Sequence, residues 1–174
     1  MARQPKKSID QVVAEVRRYP TEAYQFVREG LAFTVERIHG KETSTERRIH
    51  QFMQERDLTL QKLQEMYEAG EVPQWMARYI AKLGGVQALN RHVTGQELCW
   101  GLRDYALAKW GLMAGAVLRG WNITSTEDFG RIVFALVEND FMQKEPHDTM
   151  EDFRAVYDFK TAFEEGFTLR TDSN

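Results

Sequence analysis

Apolar residues recur along this chain mostly at helical spacing, and the clearest case lies in its second half. Phe129, Ile132, Val133, Leu136 and Val137 stand at i, i+3, i+4, i+7 and i+8, one face of a helix. Ser125 and Asp128 are in N-cap to N3 relation ahead of that stripe, and Glu127 favours the same helix start through the macrodipole. Asn139 suits the left-handed position that ends a helix. Residues 141–144, FMQK, then take the two-residue period of a strand. Glu145-Pro146-His147-Asp148 is a turn signal. A return strand within 150–157 completes a small β-wing, although MEDFRAVYDF also fits a helical turn.

Two further helix patterns precede this one. Thr94 and Glu97 form a capping box at the start of GQELCWGLRDYALAKW, whose inner face is Leu98, Leu102, Tyr105 and Ala106. Gly111 separates it from a short helix over 112–119, which Gly120 ends and Trp110 and Trp121 flank. Three helices followed by two strands is the order of a winged helix. Nearer the N-terminus, Ser8 caps a stripe of Ile9, Val12, Val13 and Val16, and Pro20 opens a second helix running to about residue 39. Its face is Tyr24, Val27, Leu31, Thr34, Val35 and Ile38, widened by Phe26 and Phe33. Gly30 in mid-helix costs about 1 kcal/mol against Ala, which points to a close helix crossing there.

From Glu46 a polar helical stretch follows a narrow seam of Ile49, Met53, Leu60, Leu63 and Tyr67, with Asp57 or Thr59 able to start a fresh helix within it. After the turn at 70–73, Trp75, Met76, Tyr79, Ile80 and Leu83 form an aromatic-rich stripe. Residues 46–83 thus read as a helical hairpin whose seam needs the core or a partner to cover it. Phe159, Phe163 and Phe167 suggest a last helix before a polar tail.

Charge changes the picture. Residues 94–158 hold six basic and eleven acidic side chains, net −5. The helix in the recognition position offers mainly Glu127, Asp128, Gly130, Arg131, Phe134 and Glu138, a face that repels a DNA duplex, since each phosphate contact wants a Lys or Arg. Phe134 lies off the core stripe: it either anchors a protein partner or packs under the wing, the commoner fate of a large aromatic. Residues 1–56 hold eleven basic and eight acidic side chains, net +3, while the whole chain of 174 residues is at −3. This polarity serves docking of the first helices on the acidic module, or orientation between two partners.

Three segments resemble a family of bacterial hypothetical proteins from planctomycetes and verrucomicrobia: YPTEAYQFVREGLAFTVERI (19–38), RHVTGQELCWGLRDYAL (91–107), and WNITSTEDFGRIVFALVEND (121–140) with the later EDF and YDF. That family passes more directly from the second helix to the GQEL helix, which implies that 43–90 is an insertion. The resemblance implies no activity and transfers no functional residue. The fold expected is mainly α: one domain, 1–174, with N-terminal helices (1–40), an inserted helical hairpin (43–90), and a winged-helix-like core with its C-terminal helix (91–168).

Candidate chemistry is sparse. There is no GxSxG, P-loop or CxxC. Cys99, the single cysteine, suits a buried structural thiol and a reducing compartment. Glu42, Glu46 and His50, spaced by four, allow a metal site but also an ordinary solvated face; His147, Asp148, Glu151 and Asp152 are a similar case on a turn. Around the helix start at residue 94, His92, Gln96 and Glu97 with Arg91 suit an anion, against the simpler reading that Thr94 and Glu97 only cap. No apolar run approaches the ~20 residues of a membrane span, and the N-terminus is no secretory signal, so the cytoplasm and no membrane partner are expected.

The leading expectation is a non-catalytic adaptor or regulatory subunit, without cofactor or metal, binding a protein partner (another copy of the chain included) through Trp75, Met76 and Tyr79 of the hairpin and through Phe134 and Arg131. The alternative is binding of RNA, another nucleic acid or a ribonucleoprotein through Arg3, Lys6, Lys7, Arg17, Arg18, Arg47 and Arg48. A third is an enzyme without a local motif.

Overall fold

In a computed structural model, which describes residues 7–165 (of Glu164 and Glu165 the backbone alone), the chain is mainly helical and the described residues contain no strand. The α-helices are α1 (Ile9–Val16), α2 (Thr21–His39), α3 (Ser44–Glu55), α4 (Leu60–Glu68), α5 (Gln74–Leu83), α6 (Gly95–Trp110), α7 (Ala114–Gly120) and α8 (Thr126–Glu138). None of them is long and apolar enough to cross a membrane. The boundary 1–174 encloses two compact units, which divide within α2: among the described residues one is 36–92, the other 7–35 with 93–165.

The first unit covers the expected hairpin, but it carries three helices. Asp57, at φ 52°, ends α3, and the Thr59 side chain accepts the Lys62 N–H to start α4. Ile49 and Met53 of α3, Leu63 of α4, Met76 and Ile80 of α5, and Val86 and Leu89 of a 3-10 turn at Val86–Leu89 bury one another. The seam therefore finds its cover inside the unit.

In the second unit α2 and α6 approach closely. A Cβ on Gly30 would overlap Leu102, and one on Gly101 would overlap Thr34. Thr34 is buried, and its hydroxyl donates to the Gly30 carbonyl at 2.6 Å, so the polar atom is satisfied inside its own helix. With the helices this near, Phe26 reaches Tyr105, Trp110, Trp121 and Phe129, at ring centroid distances of 5.5, 5.2, 5.9 and 6.4 Å.

The start of α8 is held by a buried carboxylate. Asp128, 1% exposed, accepts from Tyr19 Oη at 2.5 Å, from the Thr124 and Ser125 N–H groups at 2.9 and 3.1 Å, and from Arg131 and Arg18 at 2.7 and 3.2 Å. Burial alone would raise its pKa, but these donors together hold the carboxyl below the ordinary range. Tyr19 is pushed up to about 12, by burial first and by its bond to Asp128 second.

The expected wing is absent. Residues 141–144 form no strand, and Met150–Phe153 is a 3-10 turn. Two local causes account for this. Phe153 drops into a notch between Gly95 of α6 and Gly130 of α8, where any Cβ would collide with its ring. Backbone N–H groups along this stretch are taken by side chains: Asp148 accepts from Glu145, Asp152 from Thr149, Glu127 from Ala155 and Thr126 from Val156. Asn139 also does not take the left-handed place. It has φ −101°, Asp140 has φ 62°, and the Phe141 N–H closes on the Leu136 carbonyl at 2.9 Å. Of the last phenylalanines, Phe159 and Phe163 join the core beside a π-helical turn at Thr161–Glu165, while Phe167 and the polar tail lie outside the described residues.

Replacing Gly101→Ala forces α2 and α6 apart and should cost about 3 kcal/mol, read as a lower urea midpoint of the full chain. Asp128→Asn should cost about the same at neutral pH, since it uncharges a buried ion-pair hub. Because the folded pKa of Asp128 is depressed, its contribution is present above the ordinary carboxylate range and is lost as pH falls through the folded value. The gap between parent and variant in urea melts should therefore narrow on acidification.

Candidate functional site

The first unit carries a groove built by α3 and α5. α3 begins where Thr43 accepts the Glu46 N–H and the Glu46 carboxylate accepts the Thr43 N–H at 2.7 Å, a capping box. α5 begins after Pro73, which lacks a donor to waste, and ends at Gly84, at φ 89°. Met76 and Ile80 turn α5 into the core. Trp75, Arg78, Tyr79 and Lys82 follow one another at i, i+3, i+4 and i+7 and form an adjoining face.

With Ser44, Thr45 and Arg48 of α3, these four residues line a cavity of about 550 Å³. The Arg48 guanidinium stands over the Trp75 ring, 4.2 Å from its centroid. Tyr79 Oη is 2.9 Å from Thr43 Oγ1, which ties α5 to the start of α3. Among the described residues no carboxylate lines the groove, whereas three cations do. Arg78 and Lys82 have no ion-pair partner among the described residues. The acids at the start of α3 are engaged: Glu46 caps the helix and interacts with the Tyr79 hydroxyl, and Glu42, just before the cap, accepts from His50 Nδ1 at 2.5 Å and Arg47 at 3.4 Å. Ser44 and Thr45 occupy the first two positions of α3, where backbone N–H groups have no acceptor within the helix. Cations, N–H groups and aromatic planes on one surface suit an anionic ligand that also carries flat groups.

The expected site residues fall into different places. Trp75 and Tyr79, expected to meet a protein, and Arg48, expected to meet nucleic acid, come together in the groove. Met76 does not: it is fully buried. In the other unit Phe134 is half-buried, edge-on to Phe153 at 6.3 Å and with Lys144 Nζ over its ring. Arg131 and Arg18 converge on Asp128, so Asp128 is no part of a solvent face. Lys7 pairs with Glu15, Arg17 donates to the Ala14 carbonyl, and Arg47 pairs with Glu42. Arg3 and Lys6 lie outside the described residues.

Most of the remaining candidates serve local structure. Of Glu42, Glu46 and His50, two meet, and His50 directs its second nitrogen to the Leu89 carbonyl at 3.1 Å. Asp148 and Asp152 bond backbone N–H groups of their own turns, and Glu151 pairs with Arg154. Glu97 caps α6, and Arg91 donates to the Gly40 carbonyl. Cys99 is buried, and its thiol is pushed up to about 12 by burial and then by the charge of Glu127. Sequence reasoning passed over Arg78, Lys82, Ser44 and Thr45. Their signal was available, because Arg78 and Lys82 stand one and two turns after Trp75.

No protein-family model, no curated protein and no solved structure matches this chain.

The thiolate is the reactive form of cysteine, so Cys99 should resist iodoacetamide in the native full chain at neutral pH. It should be alkylated readily in urea, with mass spectrometry as the readout.

Proposed function

We propose that this chain is a binding protein that holds an anionic partner along the α3–α5 groove. The observation that carries the reading is that Arg48, Arg78 and Lys82 line the groove with no carboxylate among them. In a chain of net charge −3, such a surface is a local departure from the average. Clustered cations repel one another, and an anion relieves that cost when it binds.

The reading joins two expectations drawn from the sequence, an adaptor using Trp75 and Tyr79 and an anion binder using the basic first half. The segments that resemble the bacterial family, 19–38, 91–107 and 121–140, contribute nothing to the groove. On that resemblance the groove belongs to the insertion over 43–90. The helices α6, α7 and α8 follow one another in the chain, and we read them as scaffold. Arg131, the basic residue of the face that would meet a duplex, is held by Asp128, and Glu127 accepts the Ala155 N–H.

On immobilised heparin the full chain should be retained at low salt and released as salt rises. The triple variant Arg48→Glu, Arg78→Glu, Lys82→Glu should elute at clearly lower salt. The same reversal at the exposed Arg28, Lys41 and Lys62, outside the groove, should shift elution much less. Equal shifts for the two variants would defeat the reading.

A further inference from the structure

We infer that the anionic partner is a single-stranded nucleic acid, and that Arg48 stacked on Trp75 is the platform for one of its bases. The inference rests on the reading of the groove as an anion site and goes further in naming what enters it.

Two features distinguish a strand from other anions. The first is the platform. Arg48 is exposed, and its guanidinium carbon stands over the Trp75 ring, 4.2 Å from the centroid. A guanidinium so placed offers a flat cationic group beside an aromatic ring. Unpaired bases stack on such planes and on aromatic rings, whatever their sequence. An acidic peptide would use the charge of this group but has no ring to lay on it. A duplex keeps its bases stacked on one another and offers none.

The second feature is the spacing of charge. Arg78 and Lys82 stand one turn apart on α5, about 6 Å along the axis. This is close to the separation of neighbouring phosphates in an extended strand. Arg48 faces them from α3, with Ser44 and Thr45 at the helix start beside it. A strand lying along α5 therefore meets phosphate contacts at Arg78 and Lys82 and a stacking plane at Arg48 and Trp75. Tyr79, bonded through its hydroxyl to Thr43, adds a second ring in the same groove.

The test uses fluorescence anisotropy on the full chain with four labelled probes: oligouridine and oligothymidine of eight nucleotides, a short blunt-ended duplex, and a polyglutamate peptide. Both single strands should bind at least tenfold more tightly than the duplex and the peptide. With phosphate contacts at Arg78 and Lys82, the logarithm of affinity should fall against the logarithm of salt with a slope of about −1.4. Arg48→Lys keeps the charge and removes the plane. It should weaken single-strand binding about tenfold and leave polyglutamate binding unchanged. Because Arg48 is exposed, this variant keeps the core intact. Trp75→Leu, checked for folding by circular dichroism, should weaken the strand similarly. A preference for uridine over thymidine probes would mark RNA, and equal binding would mark the shared single-strand chemistry; either supports the proposal. An unchanged single-strand affinity in Arg48→Lys, or polyglutamate binding as tight as the strands, would overturn it while leaving an anion groove for an acidic peptide. Failure of every probe together with heparin would remove the groove reading itself.

Discussion

Two helices can approach to backbone contact only where one of them lacks a side chain, and α2 and α6 meet this condition twice. Gly30 admits Leu102, and Gly101 admits Thr34. The exchange is reciprocal, so neither helix can slide without driving a side chain into the other's backbone. Around this crossing, Glu29 of α2 accepts from Tyr105 and Lys109 of α6 at 2.7 and 2.9 Å. The aromatic cluster of Phe26, Tyr105, Trp110, Trp121 and Phe129 depends on the same separation. Phe153 repeats the device, pressing into Gly95 and Gly130 and fastening the chain beyond α8 to α6 and α8 together.

What was legible in the sequence was what is decided locally. Ser8 and Thr94 cap helices because an N-cap needs only a side chain and an N–H three residues on. Gly30 announced a crossing, but Gly101 did not, because a glycine in a helix says nothing about which neighbour needs the space. The wing failed for a related reason. Four residues of strand-like period weigh little against a phenylalanine with two notches to fill and a helix start, Thr126 and Glu127, able to accept the N–H groups. The groove was half legible. Trp75, Tyr79 and Arg48 each drew notice, but only the packing of α3 on α5 puts a residue of one helix over a ring of the other.

The groove is a by-product of how a small unit buries its core. α5 spends Met76 and Ile80 on the interior, and the next positions around the helix, Trp75 and Tyr79, come to lie at the rim. A rim aromatic is apolar in its body and half in water, and a neighbouring arginine is a natural cover for it. Arg48 supplies that cover and brings its charge to the place where Arg78 and Lys82 already point. The carboxylates that could neutralise the three are drawn to a helix cap and to a histidine. The surface is therefore basic by local arrangement, against the acidic balance of the chain.

The division of the chain within α2 bears on the order in which it can fold during synthesis. Residues 36–92 are continuous, and every side chain of their core is present once residue 92 has been made. The other unit is not so placed. Val12, Tyr19, Ala23, Tyr24, Phe26 and Val27 belong to a core whose other buried members lie beyond residue 92, from Val93 to Phe163. The first helices emerge long before their partners and must wait, with Phe26 and its neighbours uncovered, while the intervening unit is translated. Closing that long loop is the costly step, so the groove-bearing unit can be complete before the segment that precedes it has found its place.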